Sequence, residues 1–222
     1  ALKALAPAVE LVIFDLDGTL IDSQRDLADS VNAARGHLGL PPIDNERVYS
    51  YVGDGAPTLI RRALGPEAPE SQVLEALEYF LSYYRDHMLD HTHLYPGVRE
   101  TLARLRQDHV RMAVLTNKPV RFSQALVEGL GLGGHFARVY GGNSFDRKKP
   151  DPVGVEKLRE ELGVAREGVL MVGDSGVDVR PARNAGIRAC GVTWGFQPET
   201  FASDPPDVTI DRMEQLADLI LS

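Results

Sequence analysis

The sequence holds one cysteine, Cys190, in 222 residues. An intrachain disulfide is therefore excluded. Its setting, Arg188-Ala189-Cys190-Gly191-Val192-Thr193, reads as a small buried strand residue in a reducing compartment. No histidine lies nearby in sequence, which makes a catalytic thiol a poor candidate. Long apolar runs are also missing: nothing approaches the ~18 residues of a membrane span. The opening Ala1-Leu2-Lys3-Ala4-Leu5-Ala6-Pro7 lacks the apolar core of a signal peptide. Positive charge is scarce, with 24 Lys and Arg against 32 Asp and Glu, a net charge of -8. That balance argues against nucleic acid or an anionic membrane as the main partner. The chain is expected to be cytoplasmic. A small anionic substrate stays compatible, because a few local cations and a metal can reverse the local field.

What is present is an ordinary globular composition, 43% hydrophobic and 25% charged. It suits one large domain, or a domain with a smaller insert, and can bury a core without staples. The stretch that organises the chain is Leu11-Val12-Ile13-Phe14-Asp15-Leu16-Asp17-Gly18-Thr19-Leu20. Four apolar residues read as a strand buried on both faces. Asp15 then falls at its carboxyl end, the ligand-binding edge of open α/β sheets. Strand alternation puts Asp15 and Asp17 on the same side. Two carboxylates so close repel, and a hard cation such as Mg²⁺ between them would resolve the conflict.

From Asp22 the period becomes helical. Leu27, Val31, Ala34 and Leu38 share one face; further helices are expected from Asn45 to Val52, Ala56 to Leu64 and about Ser71 to Asp90. The stretch 23–94 contains no convincing strand and reads as a helical insert. His87, His91 and His93 could suggest a metal site, but no cysteine or carboxylate pattern accompanies them. From Tyr95 helices and strands alternate. Pro96 is expected at a first helical position, and apolar runs end at Thr116-Asn117, at Tyr140 and at Gly173-Asp174-Ser175. The expected fold is α/β: a Rossmann-like, mainly parallel sheet with helices on both faces. Residues 1–22 and 95–222 would form the core domain and 23–94 an inserted all-helical cap.

Four short segments recur in a telling order. They are Asp15-Leu16-Asp17-Gly18-Thr19, Thr116-Asn117, Lys149-Pro150 before a helix, and Gly173-Asp174-Ser175-Gly176-Val177-Asp178. Together they resemble the four motifs of the haloacid dehalogenase-type superfamily in its phosphatase form, over the whole chain. The resemblance implies Asp15 as the nucleophile that becomes an aspartyl-phosphate, and Asp17 as general acid and base. It implies Thr116 and Lys149 as groups on the phosphoryl oxygens, with Asn117 a backbone or substrate contact. Mg²⁺ would be held by the Asp15 carboxylate, the Asp17 backbone carbonyl and Asp174, with Asp178 supporting Lys149 or a metal-bound water.

The loop Tyr51-Val52-Gly53-Asp54-Gly55-Ala56-Pro57 could present N–H groups to an anion, with Gly53 a candidate substrate contact, or be a plain helix–helix turn. With Asp22-Ser23 and Thr193-Trp194-Gly195-Phe196 it resembles bacterial phosphoglycolate phosphatases. The implied partner is a small phosphorylated metabolite, and the implied assembly a monomer or homodimer. A β-phosphoglucomutase-like phosphotransferase, a phosphatase for another sugar phosphate or pyrophosphate, a metal-free dehalogenase and a non-catalytic module are the alternatives. Asp17 and the Gly173-Asp174 pair argue against the dehalogenase, and the presence of both Asp15 and Asp17 argues against the non-catalytic module.

Overall fold

Four consecutive apolar residues form the central strand, and every one of their side chains is buried. The computed structural model describes residues 2–221. In chain order its elements are β1 (Leu11–Phe14), β2 (Ile21–Asp22), α1 (Gln24–His37), α2 (Asn45–Ser50), α3 (Ala56–Leu64), α4 (Glu70–His87), β3 (His93–Leu94), α5 (Val98–Gln107), β4 (Arg111–Leu115), α6 (Val120–Gly129), β5 (Arg138–Tyr140), α7 (Val153–Leu162), β6 (Val169–Gly173), α8 (Gly176–Ala185), β7 (Arg188–Val192), β8 (Val208–Ile210) and α9 (Glu214–Leu221).

Six strands form one parallel sheet in the order β5-β4-β1-β6-β7-β8. Alternation along β1 sends Val12 and Phe14 into the core on one face, and Leu11 and Ile13 into the core on the other. Truncating Ile13 to Ala would cost about 2–5 kcal/mol. The chain builds outward through β4 and β5, then returns to lay β6, β7 and β8 on the other side of β1. Such a reversal opens a crevice at the carboxyl ends of the strands. Phe14 is level with Val114 on one side and Val172 on the other. Asp15, Thr116 and Asp174 therefore leave the sheet at one edge.

Helices α1–α4 follow one another without an intervening strand, and α1 packs on the other three. Leu27, Val31 and Ala34 of α1 and Val73, Ala76, Phe80 and Tyr84 of α4 supply buried faces at helical spacing. One expectation fails at the edge of this unit. His93–Leu94 is a strand, paired antiparallel with Ile21–Asp22. Two residues are too short to show a period, so nothing in the sequence announces the pair. Asp26 locks the same junction: its buried Oδ2 accepts from His91 N (2.9 Å), Thr92 N (2.8 Å) and Thr92 Oγ1 (2.8 Å).

Two helix ends also move. Helix α4 stops at His87, whose ring meets Asp90 at 2.7 Å. Pro96 stands outside α5, and Gly97 takes the N-cap at φ 81°, a left-handed conformation that suits glycine. No helix among the described residues is long and apolar enough to cross a membrane.

Candidate active site

Lys149 is the keystone of the sheet edge. It lies between β5 and α7, and its ammonium donates to Asp15 Oδ1 (3.1 Å), to the Leu115 carbonyl at the end of β4 (2.9 Å) and to Asp178 Oδ1 (2.7 Å). All three of its protons are thereby used. Burial opposes its charge, but Asp15 and Asp178 more than offset that, and its pKa is raised. Asn117 fixes the backbone behind it. The Asn117 side chain accepts from Lys149 N (2.9 Å) and donates to Lys149 O (3.0 Å) and to Gly53 O (3.1 Å). The amide expected as a backbone or substrate contact is thus engaged by protein backbone. Gly53 lines the cavity and offers Asn117 its carbonyl. Thr116, buried, accepts from Lys118 N at 3.1 Å through its hydroxyl oxygen.

Asp174 is held from several sides. Phe196 N donates to its Oδ2 (2.8 Å) and Thr19 Oγ1 approaches its Oδ1 (3.4 Å). A Cβ on Gly18 or on Gly195 would overlap Asp174, so both loops can close on it only as glycine. Asp178 sits in the first turn of α8 and accepts from Asp174 N (3.1 Å) while receiving Lys149. Ser175 caps that helix by accepting from Val177 N at 3.2 Å.

Carboxylate oxygens of Asp15, Asp174 and Asp178 lie within 4.8 Å of one another. Lys149 contacts two of these carboxylates, Asp15 and Asp178, and the crowding shows in the titration of Asp15 and Asp174. Burial, reinforced by Asp178 and Asp17 and opposed by Lys149, raises Asp15 to about 7. Burial, then Asp15 and Asp178, raises Asp174 well above the usual carboxylate range. A crowded set of hard oxygen donors fits a divalent cation, which would neutralise the excess charge. The other acidic grouping, Asp26, Asp29 and His91, has its buried member spent on the junction described above. Among the described residues, His87, His91 and His93 do not gather into one ligand set.

Asp17 stands apart from the acidic cluster. Its carboxylate accepts from Ser23 Oγ and from Lys118 Nζ, the latter at 3.0 Å. Each of the two acids expected to repel one another also has a lysine of its own, Lys149 beside Asp15 and Lys118 beside Asp17. Strand β1 ends at Phe14, so alternation does not govern Asp17. Lys118 escaped the sequence reading, although Lys118-Pro119 repeats the Lys-Pro step of Lys149-Pro150. Its ammonium also donates to Tyr84 Oη of α4 at 2.5 Å. Burial, then Asp17 and Asp26, pushes the Tyr84 phenol well up, so it meets the lysine as a neutral group. Cys190 plays no part here; burial lifts its thiol to about 12.

These groups line a cavity of about 60 Å³ between the sheet edge and the helical unit. Leu27, Leu59, Phe80 and Tyr84 wall it on the helical side. The walls are latched together by three polar side chains reaching carbonyls at the end of α2 and in the loop after it. Gln197 Nε2 donates to Ser50 O (3.0 Å) and Val52 O (2.8 Å), Asn117 to Gly53 O, and Lys148 Nζ to Asp54 O.

The same chain pattern is found in known proteins. Residues 12–192 match the family model of the haloacid dehalogenase-like hydrolases. A phosphoglycolate phosphatase of Chromobacterium violaceum is 40% identical over 216 residues, covering 96% of each chain. One from Vibrio vulnificus is 39% identical over 220 residues, with the same coverage. A solved structure of a predicted phosphoglycolate phosphatase from Haemophilus somnus superposes with a TM-score of 0.90 at 32% identity, covering 95% of this chain and 97% of its own. With the sheet edge, the acidic cluster and these likenesses in agreement, the chain belongs to the haloacid dehalogenase-like hydrolase family.

Proposed function

We propose that this phosphoric monoester hydrolase cleaves 2-phosphoglycolate, in a Mg²⁺-dependent reaction through a phosphorylated Asp15. Helices α1–α4, the stretch 23–94, act as a cap over the core formed by 1–22 and 95–222. The observation that carries the reading is the Lys149 ammonium, 3.1 Å from Asp15 and 2.7 Å from Asp178, at the edge where Asp174 and Thr116 also emerge. Relatives at 40% and 39% identity carry the phosphoglycolate phosphatase name, which favours that ester over a hexose phosphate.

Asp15 attacks phosphorus in line, and the bond from phosphorus to the ester oxygen breaks. Asp17 gives its proton to the departing alkoxide, which leaves as the alcohol. Asp17, now ionised, takes a proton from water; that water attacks the acyl-phosphate, freeing inorganic phosphate and restoring Asp15. Lys149 and Thr116 offer positive charge and a hydroxyl to the phosphoryl oxygens, where loose transition states carry their charge. Removing one such electrostatic contact from an enzyme typically costs about 2.7–4 kcal/mol. Mg²⁺, held by the carboxylates of Asp15 and Asp174 and the Asp17 backbone carbonyl, would supply charge neutralisation at the phosphoryl group. Asp178 keeps Lys149 aligned.

The test is phosphate release from a panel of small phosphomonoesters, with Mg²⁺ or with chelator, for the wild type and Asp15→Asn. Release that needs Mg²⁺, favours 2-phosphoglycolate and vanishes in the variant is expected. Release that ignores Mg²⁺ and survives the substitution would refute the mechanism.

A further inference from the structure

Two lysines line the cavity, and only one of them has a proton to spare. Lys149 is saturated by three protein acceptors. Lys118 has two, Asp17 Oδ1 and Tyr84 Oη, and its side chain is 7% exposed. A lysine ammonium carries three donors, so one points to neither. Tyr84, which meets this ammonium, and Phe80, Leu27 and Leu59, which also line the cavity from the helical unit, are apolar or neutral. Among the described residues no other Lys, Arg or His lines this cavity. A ligand whose phosphoryl group lies at Asp15, in the field of Lys149, and which carries a second anion would find one side-chain cation with a free donor, Lys118.

Position sharpens the point. Asp17 is the proposed proton donor to the ester oxygen, and Lys118 Nζ lies 3.0 Å from its carboxylate. A substituent one carbon beyond the ester oxygen therefore arrives beside Lys118. We propose that Lys118 is the specificity residue for a carboxylate α to the ester carbon, held in a charge-assisted contact with Tyr84 fixing the ammonium from the cap. The inference rests on the phosphoglycolate reading above and names the side chain that enforces it. Cap closure and substrate choice then share a residue, because Lys118 reaches Tyr84 only when α4 is over the site.

The experiment compares wild type and Lys118→Gln on 2-phosphoglycolate and on ethyl phosphate, a two-carbon ester without the carboxylate, at saturating Mg²⁺. Wild type is expected to favour 2-phosphoglycolate in kcat/KM. Lys118→Gln is expected to reduce that preference by about 10- to 100-fold, chiefly through KM for 2-phosphoglycolate. If both substrates decline equally and the preference stands, Lys118 serves Asp17 alone and the inference is overturned. Should Lys118→Gln fail to fold by circular dichroism, Lys118→Arg decides. A change in the ratio of about threefold or more supports a direct contact, since the planar fork binds carboxylate differently, and an unchanged ratio overturns it. A wild type indifferent to the carboxylate would refute the substrate reading itself, and the inference with it; a preference that outlives the loss of Lys118 refutes the inference only.

Discussion

Lys149 lies closer to Asp178 (2.7 Å) than to Asp15 (3.1 Å), so the lysine is anchored by an acid outside the proposed chemistry. Asp178→Asn would leave a buried ammonium with a single carboxylate partner. Breaking a buried ion pair in this way costs about 3–5 kcal/mol. The expected outcome is a fall in kcat of about 100-fold with little change in KM, together with weaker Mg²⁺ activation, read from a Mg²⁺ titration of phosphate release. Unchanged kcat would show that Lys149 holds its place without Asp178.

In the proposed mechanism Asp17 acts in both half-reactions, but a good leaving group would dispense with the first. With p-nitrophenyl phosphate, Asp17→Asn is expected to release a burst near one equivalent of nitrophenolate and then stall, trapping phosphorylated Asp15. Asp15→Asn should give no burst. Stopped-flow absorbance and intact-mass measurement of the trapped adduct check both.

The raised carboxyls of the acidic cluster set a pH dependence. Asp15 titrates near 7 in the fold against 3.8 for the ordinary group, so the folded state binds the extra proton between these values. The metal-free protein therefore loses stability as pH rises from about 4 through about 7. Mg²⁺ at the proposed site would bind the deprotonated set, so its stabilising effect is expected to grow over the same window. Thermal midpoints with Mg²⁺ and with chelator should diverge as pH rises from about 5 to about 8. A constant difference would remove Asp15 from the metal site.

Gln197 ties the loop after β7 to the helical unit through Ser50 O (3.0 Å) and Val52 O (2.8 Å). Gln197→Ala removes both hydrogen bonds, each worth about 0.5–1.5 kcal/mol. The closed arrangement should lose population, raising KM by roughly 5- to 50-fold while kcat at saturation changes less. Faster amide exchange across 50–55 would accompany it. Equal KM in the two proteins would mean that the latch is idle.

Gly195→Ala places a Cβ against Asp174 Cβ and the Gly18 carbonyl, so Asp174 and the loop that carries Gly18 must both shift to admit it. Half-saturating Mg²⁺ is expected to rise by about tenfold or more, the scale of losses when a ligand's supporting contacts are altered. The fold should survive, since the residue lies in a loop. A Mg²⁺ titration identical to wild type would show that the loop relaxes instead.

The sequence by itself determined which residues meet at the carboxyl edge of the sheet. An apolar run ending in Asp15, others ending in Thr116 and Asp174, and a Lys149-Pro150 step in a loop are local patterns, written in strand periodicity and in residues a few positions apart. Parallel pairing of β1 with β4 and β6 then brings their ends together with little freedom left. Tertiary structure alone decided the partnerships. Lys118 faces Asp17 across 101 positions, Gln197 holds a loop 147 and 145 positions away, and β3 closes on β2 through a pair too short to have a period. Those contacts depend on how the helical unit lies on the sheet, and a long flexible side chain takes its partner from that packing rather than from its neighbours in the chain.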